Sequence, residues 1–121
     1  MLSKDLINQI DSLGSDGWIV EQKNKVKLFL SELLSDGLPP PEVGAKDERI
    51  FVQWNDLGVA INFRYHDWME IYLIASHYPS GFSLFDVYRP EQINDLLTKH
   101  WQYEEVFEIK KYMMELYAKT L

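Results

Sequence analysis

The chain has 121 residues, 46% of them hydrophobic and 26% charged, the balance of an ordinary soluble domain with enough apolar content for a core. Twelve basic and 19 acidic side chains give a net charge of −7, and there is no cysteine. These counts exclude disulfides, thiol catalysis and thiolate metal sites, and they argue against a nucleic-acid backbone as the main partner. No apolar run approaches the roughly 18 residues of a membrane span. Residues 1–14 alternate polar and apolar side chains, unlike a signal peptide. A cytoplasmic, single-domain protein is the expectation.

The first region, from about residue 3 to 36, is helical by pattern. Leu2, Leu6, Ile10 and Leu13 recur at helical spacing with Ile7 beside them. Ser3 suits the start of this helix, and Gly14 suits a left-handed turn at its end. Ser15 and Asp16 offer a second cap. Val26, Phe29, Leu30, Leu33 and Leu34 then mark one face of a second helix, with Lys23, Lys25 and Lys27 between them, facing water. Gly37 closes it, and Pro39, Pro40 and Pro41 forbid its continuation. The proline run is a stiff, extended connector from helix to sheet.

The second region alternates with period two. Ile50, Val52 and Trp54 form one such set, Val59, Ile61, Phe63 and Tyr65 a second, and Met69, Ile71 and Leu73 a third. The links at 55–58 and 65–67 have hairpin length. Residues 82–88 are a candidate fourth strand. Pro90 then suits the first turn of a further helix. Ile93, Leu96, Leu97 and Trp101 share a helical face, continued by Val106, Ile109, Met113, Leu116 and Tyr117, with a break near 100–103. The predicted fold is α+β. Two N-terminal helices, an antiparallel three- to four-stranded β-meander, and a C-terminal helix or helix pair pack in two layers, the helices on one face of the sheet.

Several of these elements together resemble a loose group of small, mostly uncharacterised bacterial and phage proteins. They are Ile7-xx-Ile10-xx-Leu13 followed by Asp16-Gly17-Trp18, the run Leu38-Pro39-Pro40-Pro41-Glu42-Val43, the strand Arg49–Trp54, and Ile71-Tyr72-Leu73-Ile74. The group has paired helices, a leucine-proline-x-proline-glutamate-valine entry, and a first strand ending in tryptophan. The resemblance covers residues 7 to 75. Group members often continue Gly-Trp with Asp-Gly, where this chain has Ile19-Val20. It implies an architecture and a bacterial or phage source, and no activity.

The usual catalytic patterns do not occur. His66, His77 and His100 lack the three- or four-residue spacing of a helical metal site. No serine stands in a Gly-x-Ser-x-Gly elbow, and the six glycines are too dispersed for a phosphate loop. Carboxylates such as Glu104, Glu105 and Glu108 sit side by side on one helix, where they solubilise rather than face each other across a cleft. No catalytic residue, metal or cofactor is expected.

Charge and aromatics point to binding instead. Residues 39–88 carry seven acids and three bases, the most acidic stretch of the chain. Hairpin turns at one end of the meander would gather several of these acids into a negative field, which speeds encounter with a basic partner. Aromatics make up 14% of the chain. Trp54 and Phe63 suit the core, and a core this size is not expected to absorb all of Trp68, Tyr72, Tyr78, Phe82, Tyr88, Trp101 and Tyr103. Tyrosine and tryptophan anchor protein interfaces. The expected partner-binding residues are Glu42, Asp47, Glu48, Asp67, Trp68, Glu70 and Tyr78. The expected function is inhibition of a larger, basic protein, in the manner of an immunity protein that neutralises a bacterial toxin or nuclease-like effector. A phage anti-defence inhibitor works by the same device, and a homodimeric accessory module is the third alternative. Neither a membrane nor nucleic acid is an expected partner.

Overall fold

The computed structural model describes residues 2–15, 17–47, 49–64, 68–73 and 99–120. Helix α1 (Lys4–Asp11) starts where Ser3 caps it: the Leu6 N–H donates to the Ser3 hydroxyl at 3.2 Å, satisfying a donor the first turn leaves unpaired. Gly14, at φ +135°, turns the chain toward α2 (Gly17–Leu33) in a conformation that residues with a Cβ rarely adopt. Two lysines expected in water help to close this corner. Lys23 Nζ donates to the carbonyls of Asp11 and Gly14, and Lys27 pairs with the Asp11 carboxylate at 2.5 Å.

Among the described residues the sheet has five antiparallel strands in chain order, β1 (Glu42–Lys46), β2 (Arg49–Trp54), β3 (Val59–Phe63), β4 (Trp68–Leu73) and β5 (Trp101–Gln102). A 3-10 turn at Tyr103–Glu105 leads into the C-terminal helix α3 (Val106–Thr120). The fold is therefore α+β, with two N-terminal helices, an antiparallel meander and a C-terminal helix packed on it.

Two strands correct the predicted count of three to four. The sequence assigns Glu42–Lys46 to no element; it is short and holds a glycine, so it lacks the β-branched signal. Trp101–Gln102 was expected at a helical face; Trp101 instead pairs with Met69 across β4 and β5. A two-residue strand is too short to show alternation, and the helical spacing around it dominates. The candidate strand at 82–88 and the helix predicted after Pro90 lie outside the described residues.

Alternation places Ile50, Val52, Trp54, Val59, Ile61, Phe63, Met69, Ile71 and Trp101 on one face of the sheet, all buried. Leu6 and Ile10 of α1, Val26, Phe29, Leu30 and Leu33 of α2, and Ile109, Met113 and Leu116 of α3 complete the same core. Phe29, Phe63 and Tyr103 form its aromatic centre. The Phe29 ring meets Phe63 edge-on at 5.3 Å, and Tyr103 stacks on Phe63 at 5.7 Å.

Polar ties hold the layers in register. Gln22, buried in α2, donates to the Arg64 carbonyl at 3.0 Å and accepts from the Tyr103 hydroxyl at 2.9 Å, so a buried amide is paired at both ends. Lys110 of α3 reaches the end of α2, where its ammonium meets Ser35 Oγ at 2.6 Å and Asp36 at 3.0 Å. The Trp54 indole donates to the Pro39 carbonyl at 2.7 Å, which ties the proline connector to the end of β2.

Candidate functional site

The same alternation sends the strand residues between these, and Glu42, Gly44 and Lys46 of β1, to the opposite face, where none of the described helices lies. Lys46, Arg49 and Arg64 form one row across β1, β2 and the end of β3. Gly44, Phe51, Asn62 and Glu70 form the next, and Glu42, Gln53, Ala60 and Tyr72 the third. Trp68 and Gln102 extend this face over β4 and β5.

Two aromatics stand open here. Trp68 is 39% exposed and Tyr72 42%, four residues apart on β4. Both must therefore project from the same face. Glu70 lies between them and takes hydrogen bonds from the Tyr72 hydroxyl and the Arg64 guanidinium. The Trp68 ring meets the exposed His100 ring edge-on at 5.8 Å. Arg64, Trp68, Glu70 and His100 line a shallow depression of about 310 Å³. Phe51, half-buried, lies across Gly44, so close that a Cβ there would clash with the ring tip.

Burial of Glu70 pushes its pKa up, but the hydrogen bonds from Tyr72 and Arg64, with the charges of Arg64 and Arg49, outweigh this and hold it below the ordinary carboxylate value. The Tyr72 hydroxyl is moved up, first by its hydrogen bond to Glu70 and then by burial. The Glu70 contribution to stability is complete above the unfolded carboxylate pKa and is lost as pH falls through the lowered folded value. That of Tyr72 is complete below the unfolded phenol pKa and is lost as pH rises through the raised one. The cluster thus stabilises the fold between roughly pH 5 and pH 10. Because the Arg64 side chain is 41% exposed, solvent screening limits the effect to about 1 kcal/mol. The melting-temperature gap between wild type and Glu70→Gln is expected to be widest near neutrality and to close as pH falls through the lowered Glu70 value.

The expected binding residues fall in different places. Trp68 and Glu70 come together with Arg64 and Tyr72. Asp47, exposed in the β1–β2 turn at φ +54°, lies beside Lys46 and Arg49. Glu42, also exposed, lies at the opposite end of β1 and accepts from the Gln53 amide at 3.4 Å. The β2–β3 turn, with Asp56, is likewise at that opposite end, so the turns divide between the two ends of the sheet. Glu48, Asp67 and Tyr78 lie outside the described residues. Of the seven aromatics that the core was not expected to absorb in full, Trp101 is a core residue at 1% exposure and Tyr103 stacks on Phe63 within the core. The described residues carry thirteen acidic and eleven basic side chains, a net of −2, and the remaining −5 falls on positions outside them.

Arg49, Phe51 and Arg64 were not singled out in the sequence. Their parity opposite Ile50, Val52, Trp54 and Phe63 was the signal that places them on the open face. Among the described residues no group of three or more histidines and carboxylates is placed to hold a metal ion, and no helix is long and apolar enough to cross a membrane. The chain matches no family model, no curated protein and no solved structure.

Proposed function

We propose that this chain is a small non-catalytic binding protein that docks the outer face of its sheet on a larger protein. An immunity protein neutralising a bacterial toxin is the specific form of this reading. The observation that carries it is the pair Trp68 and Tyr72, open on one strand and braced by the Arg64–Glu70 ion pair. Tryptophan, tyrosine and arginine are the residues that carry most binding energy at protein interfaces, because each buries a large area with few rotatable bonds or makes directed hydrogen bonds. A strand holds them rigid before the partner arrives, so little ordering entropy is lost on binding.

Electrostatics supports the reading in two parts. The net charge of −7 attracts a basic partner at long range. On the face itself, Lys46, Arg49 and Arg64 form one basic row, with Glu70 and Glu42 in the rows beyond it, a mixed pattern that suits orientation of a docked surface better than bulk attraction. Glu70 is committed to two hydrogen bonds, which suits a positioning role better than proton transfer.

The test is growth rescue. The protein encoded by the gene immediately upstream in the source organism is expressed alone and together with this chain. Rescue of a growth defect, with direct binding between the two, is the expected result. Trp68→Ala and Tyr72→Ala are each expected to weaken that binding by about 30-fold, or about 2 kcal/mol. The same changes should move the melting temperature by only a few degrees, since both side chains are open. Rescue unaffected by either change would move the interface to another face, and a partnerless, inert chain would overturn the reading.

A further inference from the structure

We infer that the outer edge of β1, which no described strand pairs, joins the β1 edge of a second copy of this chain, making the two sheets continuous. The hydrogen-bond phase identifies the groups involved. The Arg64 N–H donates to the Trp68 carbonyl at 2.8 Å, so at that position β3 turns its backbone groups toward β4. Strand residues alternate in this respect, so Phe63 turns toward β2, its partner Ile50 toward β3, and Arg49 toward β1. Arg49 is paired with Lys46, which therefore faces β2, as do Gly44 and Glu42. Val43 and Ala45 are left with N–H and C=O pointing out of the sheet. Among the described residues no backbone hydrogen bond outside the sheet itself reaches either of them.

The strand sequence Glu42-Val43-Gly44-Ala45-Lys46 is self-complementary in charge about Gly44. An antiparallel pair centred there sets Glu42 of each copy opposite Lys46 of the other. It also sets Val43 opposite Ala45, the residues whose outward groups then form four hydrogen bonds. Shifting the centre to Val43 sets Lys46 opposite Pro40, and shifting it to Ala45 sets Lys46 opposite Gly44. Only the Gly44 centre places unlike charges together. In that register Gly44 meets Gly44 of the partner copy in the closely spaced type of pair, about 4.5 Å between Cα atoms, where the absence of side chains matters most. The Phe51 ring, already lying over Gly44, supplies the apolar cover that the glycine lacks. A two-fold axis perpendicular to the sheet keeps both outer faces on the same side, so Trp68 and Tyr72 of the two copies face one direction.

Five paired residues bury less than a standard interface, so association in the micromolar range or weaker is expected. Sedimentation at increasing concentration should show the 14.3 kDa chain approaching twice its mass. Ala45→Pro removes an N–H that the sheet within one chain does not use, and is expected to weaken association by at least about 10-fold with an unchanged circular-dichroism spectrum. If that variant does not fold, charge reversal takes its place. Glu42→Lys and Lys46→Glu should each remain monomeric alone, while an equimolar mixture of the two dimerises, because every cross-strand pair in the mixture is then attractive. A wild-type chain that stays monomeric to about millimolar concentration, or a dimer that survives all of these changes, overturns the inference.

Discussion

Phe63→Ala is expected to cost about 3–5 kcal/mol, a large part of the roughly 5–15 kcal/mol that holds a domain of this size together. Phe63 is 0% exposed and stands where three elements meet. Phe29 of α2 meets it edge-on, and Tyr103 of the turn before α3 stacks on it. Removal of the ring leaves a cavity that Tyr103 cannot move in to fill, because it is held elsewhere. The Tyr103 hydroxyl is bonded to Gln22, and Gln22 is bonded to the Arg64 carbonyl. The loss therefore combines transfer energy, cavity and two aromatic contacts. Urea denaturation should show a lower midpoint with an unchanged slope, the mark of lost packing in a fold that still forms. Phe63→Leu, which retains most of the volume, should recover more than half of the loss.

Trp101→Ala is expected to cost a similar 3–5 kcal/mol, whereas Trp68→Ala costs less than about 1 kcal/mol. The two indoles lie on neighbouring strands: Trp68 pairs with Gln102, and Met69 with Trp101. One position of register separates them, and one position changes the face. Trp101 points inward, its ring edge-on to Tyr112 of α3 at 6.2 Å, with the Lys99 ammonium 4.3 Å from the ring centroid. Its removal uncouples β5 from the helix layer. Trp68 points out and gives up little that water does not replace. Fluorescence quenching by iodide offers a second readout. The Trp68→Ala protein should lose much of the quenchable emission, and the Trp101→Ala protein mainly emission that iodide does not reach.

The paired-helix start, the three central strands and the final helix were legible because each repeats its signal over two or more periods. Leu6 and Ile10, Val26 to Leu33, and Val106 to Leu116 are helical stripes; Ile50 to Trp54 and Val59 to Phe63 are strict alternations. The edge strands β1 and β5 were not legible. Each is stabilised by what lies beside it and not by its own composition: β1 by pairing with β2, and β5 by Trp101 entering the core. The outer face was half legible. Trp68 and Glu70 were identified as surface residues, but their company of Arg64, Tyr72 and His100 depends on strand register and on a segment more than 25 residues further along.

Hydrophobic periodicity and turn residues were enough to specify the described helices and the three central strands, the two-layer α+β architecture and which side chains of those strands are buried, because those properties follow from local spacing and the tendency of apolar faces to leave water. The partners of each charge lay beyond that reach. Glu70 looked like one more acid in an acidic segment; folding sets it against Arg64 and Tyr72 and removes it from any general negative field. The free edge of β1 likewise has no counterpart in composition, since an edge exists only once the order of the strands is set. Ion pairing, hydrogen-bond phase and exposure are relations between residues far apart in the chain, and only folding brings them within the few ångströms over which they act.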